Sequence, residues 1–434
     1  MQMNSELLQQ VRVVDPVSGT DQIADVLIVD GIIEAIASPI SDFPENTSLR
    51  NCQGMILGTG LVDLYSHSGE PGCEERETLT SLMDAAAAGG FTRLAILPDT
   101  QPPLDHPAGL AQWHQKQRPQ KLTGESKAVT SVPQLYFWGA LTLGVEGQQM
   151  TELAELAAAG VVGFADGQPL QNLALLRRLL EYLQPLEKPV ALWACDRQLS
   201  ANGVMREGVA SIRFGLPGNP AIAETTALAA ILEIVAATRT PIHLMRISTA
   251  RGVELIQDAK SRGLPVTAST TWMHLLLNTD PLSSYDPNLR LDPPLGNPSD
   301  QAALIRGVQQ GILDAIAVDH TPYTYEEKTV AFAEAPPGAI GLELALPLLW
   351  QTFVETGIWS ALELWQALST RPASCLQQQL GAIAVGQPAE LILFAPQQPW
   401  KAEPFTLKSR SANTPWLGQP LRGQVLQMWT SGEI

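Results

Sequence analysis

Residues 60–99 read GLVDLYSHSGEPGCEERETLTSLMDAAAAGGFTRLAILPD. Two apolar, strand-like runs, GLVDLYSH (60–67) and TRLAILPD (92–99), enclose ETLTSLMDAAAAGG (77–90), which has the composition of a helix. This is a βαβ unit, in which the helical crossover lets two strands lie parallel. The pattern recurs. Further strand-like runs are QLYFWGAL (134–141), GVVGFADG (160–167), PVALWACD (189–196), PIHLMRIS (241–248), PVTASTTW (265–272) and DAIAVDHT (314–321). Helix-like stretches lie between most of them: MTELAELAAAG (150–160), AETTALAAILEIVAATR (223–239) and SDQAALIRGVQQG (299–311), the last with Ser299 and Asp300 at its start. Eight strand–helix repeats predict an α/β fold, a (β/α)8 TIM-type barrel. A doubly wound sheet is the alternative, but no GxGxxG follows the first strand.

The two ends read differently. Residues 11–38, VRVVDPVSGTDQIADVLIVDGIIEAIAS, place short β-rich runs around Asp-Pro and Asp-Gly turn signals. AELILFAP (389–396) and LRGQVLQMWTSGEI (421–434) have the same character. The expected organisation is a barrel over 56–380 and a small β-sandwich domain assembled from 1–55 and 381–434. The 434-residue length suits a barrel of roughly 250 residues plus a smaller domain.

Hydrophobic residues make up 45% of the chain and charged residues 16%, enough for a large core. The net charge of -17 argues against nucleic-acid or anionic-membrane partners, which need a basic surface. Cys52, Cys73, Cys195 and Cys375 form no CxxC pair, so reduced cytosolic thiols are expected rather than a zinc knuckle or disulfide scaffold. The start, MQMNSELLQQ, lacks a basic, apolar leader, and no apolar run approaches ~20 residues, so a cytoplasmic protein without a membrane span is expected.

Chemistry in such barrels sits at the C-terminal ends of the strands. Two long polar loops leave from there, 278–300 and 321–341, and loops of this length commonly act as lids or binding loops. GLVDLYSHSGEPG (60–72) resembles the first-strand motif of dihydroorotases and related cyclic amidohydrolases, Asp-x-His-x-His followed by Arg-Glu-Pro-Gly. AAAAGGFTRLAILPDT (85–100) resembles their Gly-Gly-Phe-Thr segment and Pro-Asn-Thr loop. DPPLGNPSDQAALIRGVQQGILDAIAVDHTPY (292–323) resembles their Asn-Pro-Pro-Leu-Arg loop and the Asp-His-Ala-Pro-His end of the last strand. ALSTRPASCL (367–376) and SANTPWLGQPLRGQV (411–425) extend the resemblance over nearly the whole chain.

The resemblance implies ring C–N hydrolysis by water activated on one or two divalent ions, held by histidines, carboxylates and often a carbamylated lysine. Here the motif is incomplete. The first histidine of the pair is Tyr65 and only His67 remains. The fifth-strand histidine position falls on Ala194 or its neighbour, and the sixth on Arg246 within MRIST. Asp319 stands at the end of strand eight as metal ligand and proton shuttle, and Asp166 within FADG is a carboxylate at the end of strand four, where no lysine is present. The metal set implied is therefore His67, Asp166 and Asp319, which is too few for a zinc cage. Zinc is expected only if the chain is active, and otherwise none. The substrate positions are altered too: Gly69 and Gly296 replace arginines, and Asp99 and Asp292 replace asparagines. Without metal, Arg246 is expected to pair with Asp319 or Asp166, or else to reach into solvent.

His243 lies three residues before Arg246 and by alternation should pack against helices. His320 should likewise face away from the mouth, and His274 support it from behind. Cys195 reads as a nucleophile or a buried thiol, and Tyr65 as a donor or a filler of the emptied site. Three functions follow from the resemblance. One is an inactive or impaired dihydroorotase homologue of pyrimidine biosynthesis, acting as a structural partner of aspartate transcarbamoylase or as a homo-oligomer. Another is an active dihydroorotase with a rebuilt one-metal or metal-free site. The third is an amidase acting on a small neutral ring of hydantoin or allantoin type.

Overall fold

The computed structural model describes residues 5–117 and 132–430. Five strands precede the barrel: β1 (Ser5–Asp15), β2 (Thr20–Val29), β3 (Ile32–Ala37), β4 (Ser48–Asn51) and β5 (Ile56–Thr59). The eight predicted strands all form: β6 (Leu61–Ser66), β7 (Phe91–Ile96), β8 (Gln134–Gly139), β9 (Gly163–Phe164), β10 (Ala191–Trp193), then, after the short pair β11 (Met205–Arg206) and β12 (Gly218–Asn219), β13 (Ile242–Met245), β14 (Val266–Thr271) and β15 (Ala315–Ala317). β6 to β9 pair in parallel, as do β10, β13, β14 and β15. A Phe164–Val190 bridge joins the two groups, and the His67 N–H donates to the His320 carbonyl at 2.9 Å to close the ring. Asp63 reinforces that seam by accepting from the Val318 N–H and the Ser66 hydroxyl; burial pushes its pKa up to about 7.

Alternation along the strands sorts two cores. Val62, Ala95, Leu97, Trp138, Ala191, Trp193, Met245, Ala315 and Ala317 fill the barrel interior, large side chains against small ones. The intervening residues, such as Leu192, Leu244 and Ile316, join the helices in an outer core. The helix Leu79–Gly89 is capped by Thr78 through a capping box with Ser81 and stops at Gly90 in left-handed conformation. The helix Pro298–Gln309 starts one residue earlier than the sequence suggested. Asn297 caps it, Pro298 takes the first position, and Asp300 reaches back to the cap as its third residue. No helix among the described residues is long and apolar enough to cross a membrane.

Both ends enter one seven-stranded sheet, in which β16 (Leu391–Lys401) and β17 (Pro420–Trp429) follow the order β17-β16-β5-β1-β2-β3, with β4 beside β1. It is tied to the barrel by Arg93, which forks onto Glu390 at 2.8 Å through Nε and Nη2, and by the Trp365 indole donating to the Thr59 carbonyl at 3.1 Å. Gly58 permits this contact, since a Cβ there would lie 2.1 Å from Trp365 Nε1. Gly58→Ala is therefore expected to lower stability by ~1–3 kcal/mol, as overpacking does, in a urea titration.

Candidate functional site

The C-terminal ends of β13 and β15 carry the centre of the site. Arg246 and Asp319 follow these strands with φ of 55° at both, a left-handed conformation that costs a side-chain-bearing residue energy and interrupts alternation. Arg246 donates from Nε to Asp319 Oδ2 at 2.8 Å and from Nη2 to Oδ1 at 2.6 Å. Its Nη1 donates to the Gly167 carbonyl at 2.8 Å. The guanidinium lies 4.7 Å from the Trp193 ring centre and 5.6 Å from that of Tyr65. Arg246 is 4% exposed, so the fork–fork pair is nearly dry. Burial alone would raise the Asp319 pKa, but Arg246 and His67 hold it well below the carboxylate range.

His67 adds a second ion pair. Its Nδ1 lies 2.6 Å from Asp99 Oδ2, and its Nε2 lies 3.5 Å from Asp319 Oδ1 and 3.1 Å from Arg246 Nη2. Burial works against the imidazolium, yet Asp99 and Asp319 outweigh it and lift the pKa to about 9. Because the folded value lies above the ordinary 6.5, this contribution to stability is full below pH ~6.5 and drains as pH rises through ~9. Urea midpoints across that window should fall with rising pH, and His67→Gln should flatten the fall.

Tyr65 both fills and donates. Its hydroxyl lies 2.9 Å from Ser269 Oγ and accepts from the Arg246 backbone N–H at 3.1 Å. Ser269 also contacts His243 Nε2 at 2.8 Å, and His243 Nδ1 lies 2.9 Å from Thr267 Oγ1. His243 therefore belongs to the barrel interior, not to the helix layer expected of it. It shares the inward face with Met245, and the left-handed Arg246 turns inward out of phase, which misled the counting. Burial holds the His243 pKa down at about 3, so it stays neutral.

Other expectations need correction. Asp166 neither joins His67 nor meets Arg246. Its Oδ1 accepts from the Leu141 and Thr142 N–H groups at 2.8 and 3.0 Å, and its Oδ2 from the Thr142 hydroxyl at 2.6 Å. The turn after β8 needs an acceptor for those amides, and Asp166 supplies it. Ala194 faces the outer core; Trp193 is the inward residue at the end of β10. Gly296 is not on the cavity wall, and a Cβ there would come within 2.6 Å of Asp300 Cβ. Gly69 does line the cavity, but a Cβ would meet the Cys73 and Glu77 carbonyls at 2.5 Å, so this turn has closed over the space an arginine would need. Cys195 is a buried thiol, its pKa pushed up to about 11 by burial, unsuited to nucleophilic attack at neutral pH.

His320 faces away from the mouth as predicted. It accepts from the Gly341 N–H at Nδ1, and its Nε2 lies 3.3 Å from Glu77. His274 contacts Thr271 Oγ1 at 2.7 Å and the Pro293 carbonyl at 3.2 Å, bracing the loop that carries Asp292. Asp292 accepts from Arg197 Nη1 at 2.6 Å. Sequence reading missed Arg197 and also Arg76, which forks onto Glu327. Arg197 directly follows the PVALWACD run, a position that invites attention; nothing in the sequence singles out Arg76. Both line a cavity of about 270 Å³ above the Arg246–Asp319 pair, together with His67, Asp99, Trp193, Asp292 and Tyr323.

An eight-stranded parallel barrel with charged residues on its strand ends and a sheet built from both termini is an amidohydrolase arrangement. L-hydantoinase (dihydropyrimidinase) from Arthrobacter aurescens shares the fold at a TM-score of 0.82 and 21% identity, over 99% of this chain and 97% of that one. Dihydropyrimidinase from Brevibacillus agri does so at 0.77 and 22%, over 97% and 93%. Residues 54–251 match the dihydro-orotase-like family model, and residues 218–434 match the amidohydrolase family model. A probable dihydroorotase-like protein of Synechocystis sp. is 45% identical, covering 99% of this chain and 100% of that protein. A dihydroorotase of Pelobacter propionicus is 36% identical, covering 99% and 98%. The chain belongs to the dihydroorotase family of amidohydrolases.

Proposed function

We propose that this chain is a non-hydrolytic member of the family, in which an arginine-centred ion cluster stands where the resemblance puts catalytic metal. It acts as a structural or regulatory partner, and the family resemblance suggests aspartate transcarbamoylase in the cytoplasm; self-association is the other arrangement. The observation that carries this reading is the two-nitrogen bond of Arg246 to Asp319.

The residues present do not fit a zinc ion. Zinc takes lone pairs from three or four ligands, whereas a guanidinium offers only N–H groups and a positive charge. Arg246 engages both Asp319 oxygens, Asp99 engages His67 Nδ1, and Asp166 is committed to the 141–142 turn. Among the described residues, no three His, Cys, Asp or Glu side chains converge as a metal cage. No hydrolytic step is therefore derived through a metal.

The His67–Asp99 contact favours, as a second reading, a metal-free cyclic amidase with His67 as general base. A base must be unprotonated at working pH, and a pKa of about 9 leaves His67 mostly protonated at neutrality. Interconversion of dihydroorotate and carbamoyl-aspartate by purified protein, with and without added zinc, tests the proposal. No turnover above background is expected in either case; turnover with zinc, or metal-free turnover rising with an apparent pKa near 9, contradicts it. Mixing with aspartate transcarbamoylase on a sizing column should give a co-eluting complex.

A further inference from the structure

The sequence suggested a mouth stripped of the cations that would hold an acidic ligand. The fold brings two others to it. Arg76 comes from the turn that contains Gly69, and Arg197 from the end of β10; both border the same cavity. Each is held against an aromatic face on that wall, Arg197 at 4.6 Å from the Trp193 ring centre and Arg76 at 4.9 Å from that of Tyr323. Such stacking fixes the plane of the guanidinium without using its N–H groups.

Neither fork is spent. Arg76 gives Nε and Nη2 to Glu327, and among the described residues nothing accepts from its Nη1. Arg197 gives Nη1 to Asp292 and a long 3.4 Å contact from Nη2 to Gln168. The arginine side chains are 32% and 37% exposed, so a ligand can reach them. Each of the three cavity arginines has one carboxylate partner, Glu327 for Arg76, Asp292 for Arg197 and Asp319 for Arg246, in a chain whose net charge is -17. What remains for a ligand is the unused N–H edge of Arg76 and of Arg197, charged donors in a concave site where a small anion forms strong hydrogen bonds.

We infer that this cavity binds a small dicarboxylate, one carboxylate on the open edge of each of Arg76 and Arg197, and holds it unreacted. Arg246 and His67 form the floor and have carboxylate partners of their own. The two gripping arginines also meet the lid loops through Asp292 and Glu327, so occupancy is coupled to loops 278–300 and 321–341. This rests on the non-hydrolytic reading above only for the fate of the ligand.

Calorimetric titration of the full chain with malonate, succinate and glutarate tests it, with acetate and inorganic phosphate as controls. At least one dicarboxylate is expected to bind saturably and at least ~10-fold more tightly than acetate or phosphate. Arg76→Gln and Arg197→Gln should each weaken it by ~10-fold or more, the size of one lost charge-assisted contact. Arg→Lys variants serve where a glutamine variant fails to fold, and should retain only part of the affinity because lysine lacks the fork. Absence of binding by all three dicarboxylates, binding that survives both substitutions, or equal binding of acetate or phosphate would overturn the inference. Binding is read without turnover, so an active enzyme that binds the ligand contradicts the function and leaves this site standing.

Discussion

Arg246→Leu is expected to destabilise the protein by ~3–5 kcal/mol in chemical denaturation, the range for removing one partner of a buried ion pair. The loss comes chiefly from what stays behind. Asp319 would keep its position beside His67 without the two guanidinium bonds that now offset its burial. The Gly167 carbonyl would lose its donor, and the Trp193 face its cation. Deprived of Arg246, Asp319 should titrate well above its present depressed value, so the deficit should shrink as the pH is lowered. The double variant Arg246→Leu/Asp319→Leu should recover most of the stability, because a pair replaced by apolar groups leaves no orphaned charge. If the double variant is as unstable as the sum of the singles, the two residues do not act as a pair.

The barrel was legible because its signal is long-range and repetitive. Eight apolar runs at regular spacing, with helix-like stretches between them, survive errors of a residue or two at any boundary. The pairing of Arg246 with Asp319 was also within reach, since both occupy strand ends and a buried carboxylate needs a cation. Errors arose where one backbone conformation decides a direction. Counting by twos from Arg246 put His243 on the wrong face because φ of 55° at Arg246 breaks the count. The resemblance gave Ala194 or its neighbour for the fifth strand, and it is the neighbour Trp193 that faces inward, since a one-residue slip exchanges the two faces of a strand. Asp166 looked like a ligand because residue type was visible and its partners, two amide groups 24 and 25 residues away, were not. Arg76 sits in a turn, where no periodicity predicts direction. The losses at Gly69 and Gly296 could be read; the arrival of Arg76 and Arg197 at the same cavity could not.

Glu224→Ala should have an effect of similar size for a different reason. Glu224, on the helix Ile222–Thr238, is 5% exposed and accepts four hydrogen bonds, from the backbone N–H and hydroxyl of Ser248 and of Thr249 at 2.6 to 3.1 Å. These residues lie two and three positions after Arg246 and hold the chain leaving β13. The fully buried Arg206 also draws on this network through Ser248 Oγ at 2.7 Å. Truncation would strand two backbone amides and an arginine in a dry site, a cost of ~3–5 kcal/mol. It should also loosen Arg246, so the coupling between Arg246 and Asp319 in a double-variant cycle should shrink in this background. Unchanged coupling would mean that the backbone after Arg246 is set by other contacts.

Elemental analysis of protein purified and then dialysed against zinc reaches the central claim most directly. With Arg246 in place the account predicts far less than one zinc per chain and no change in the Arg246–Asp319 contact. A stoichiometric zinc at the barrel mouth, ligated by His67 and Asp319 with the guanidinium swung aside, would contradict it.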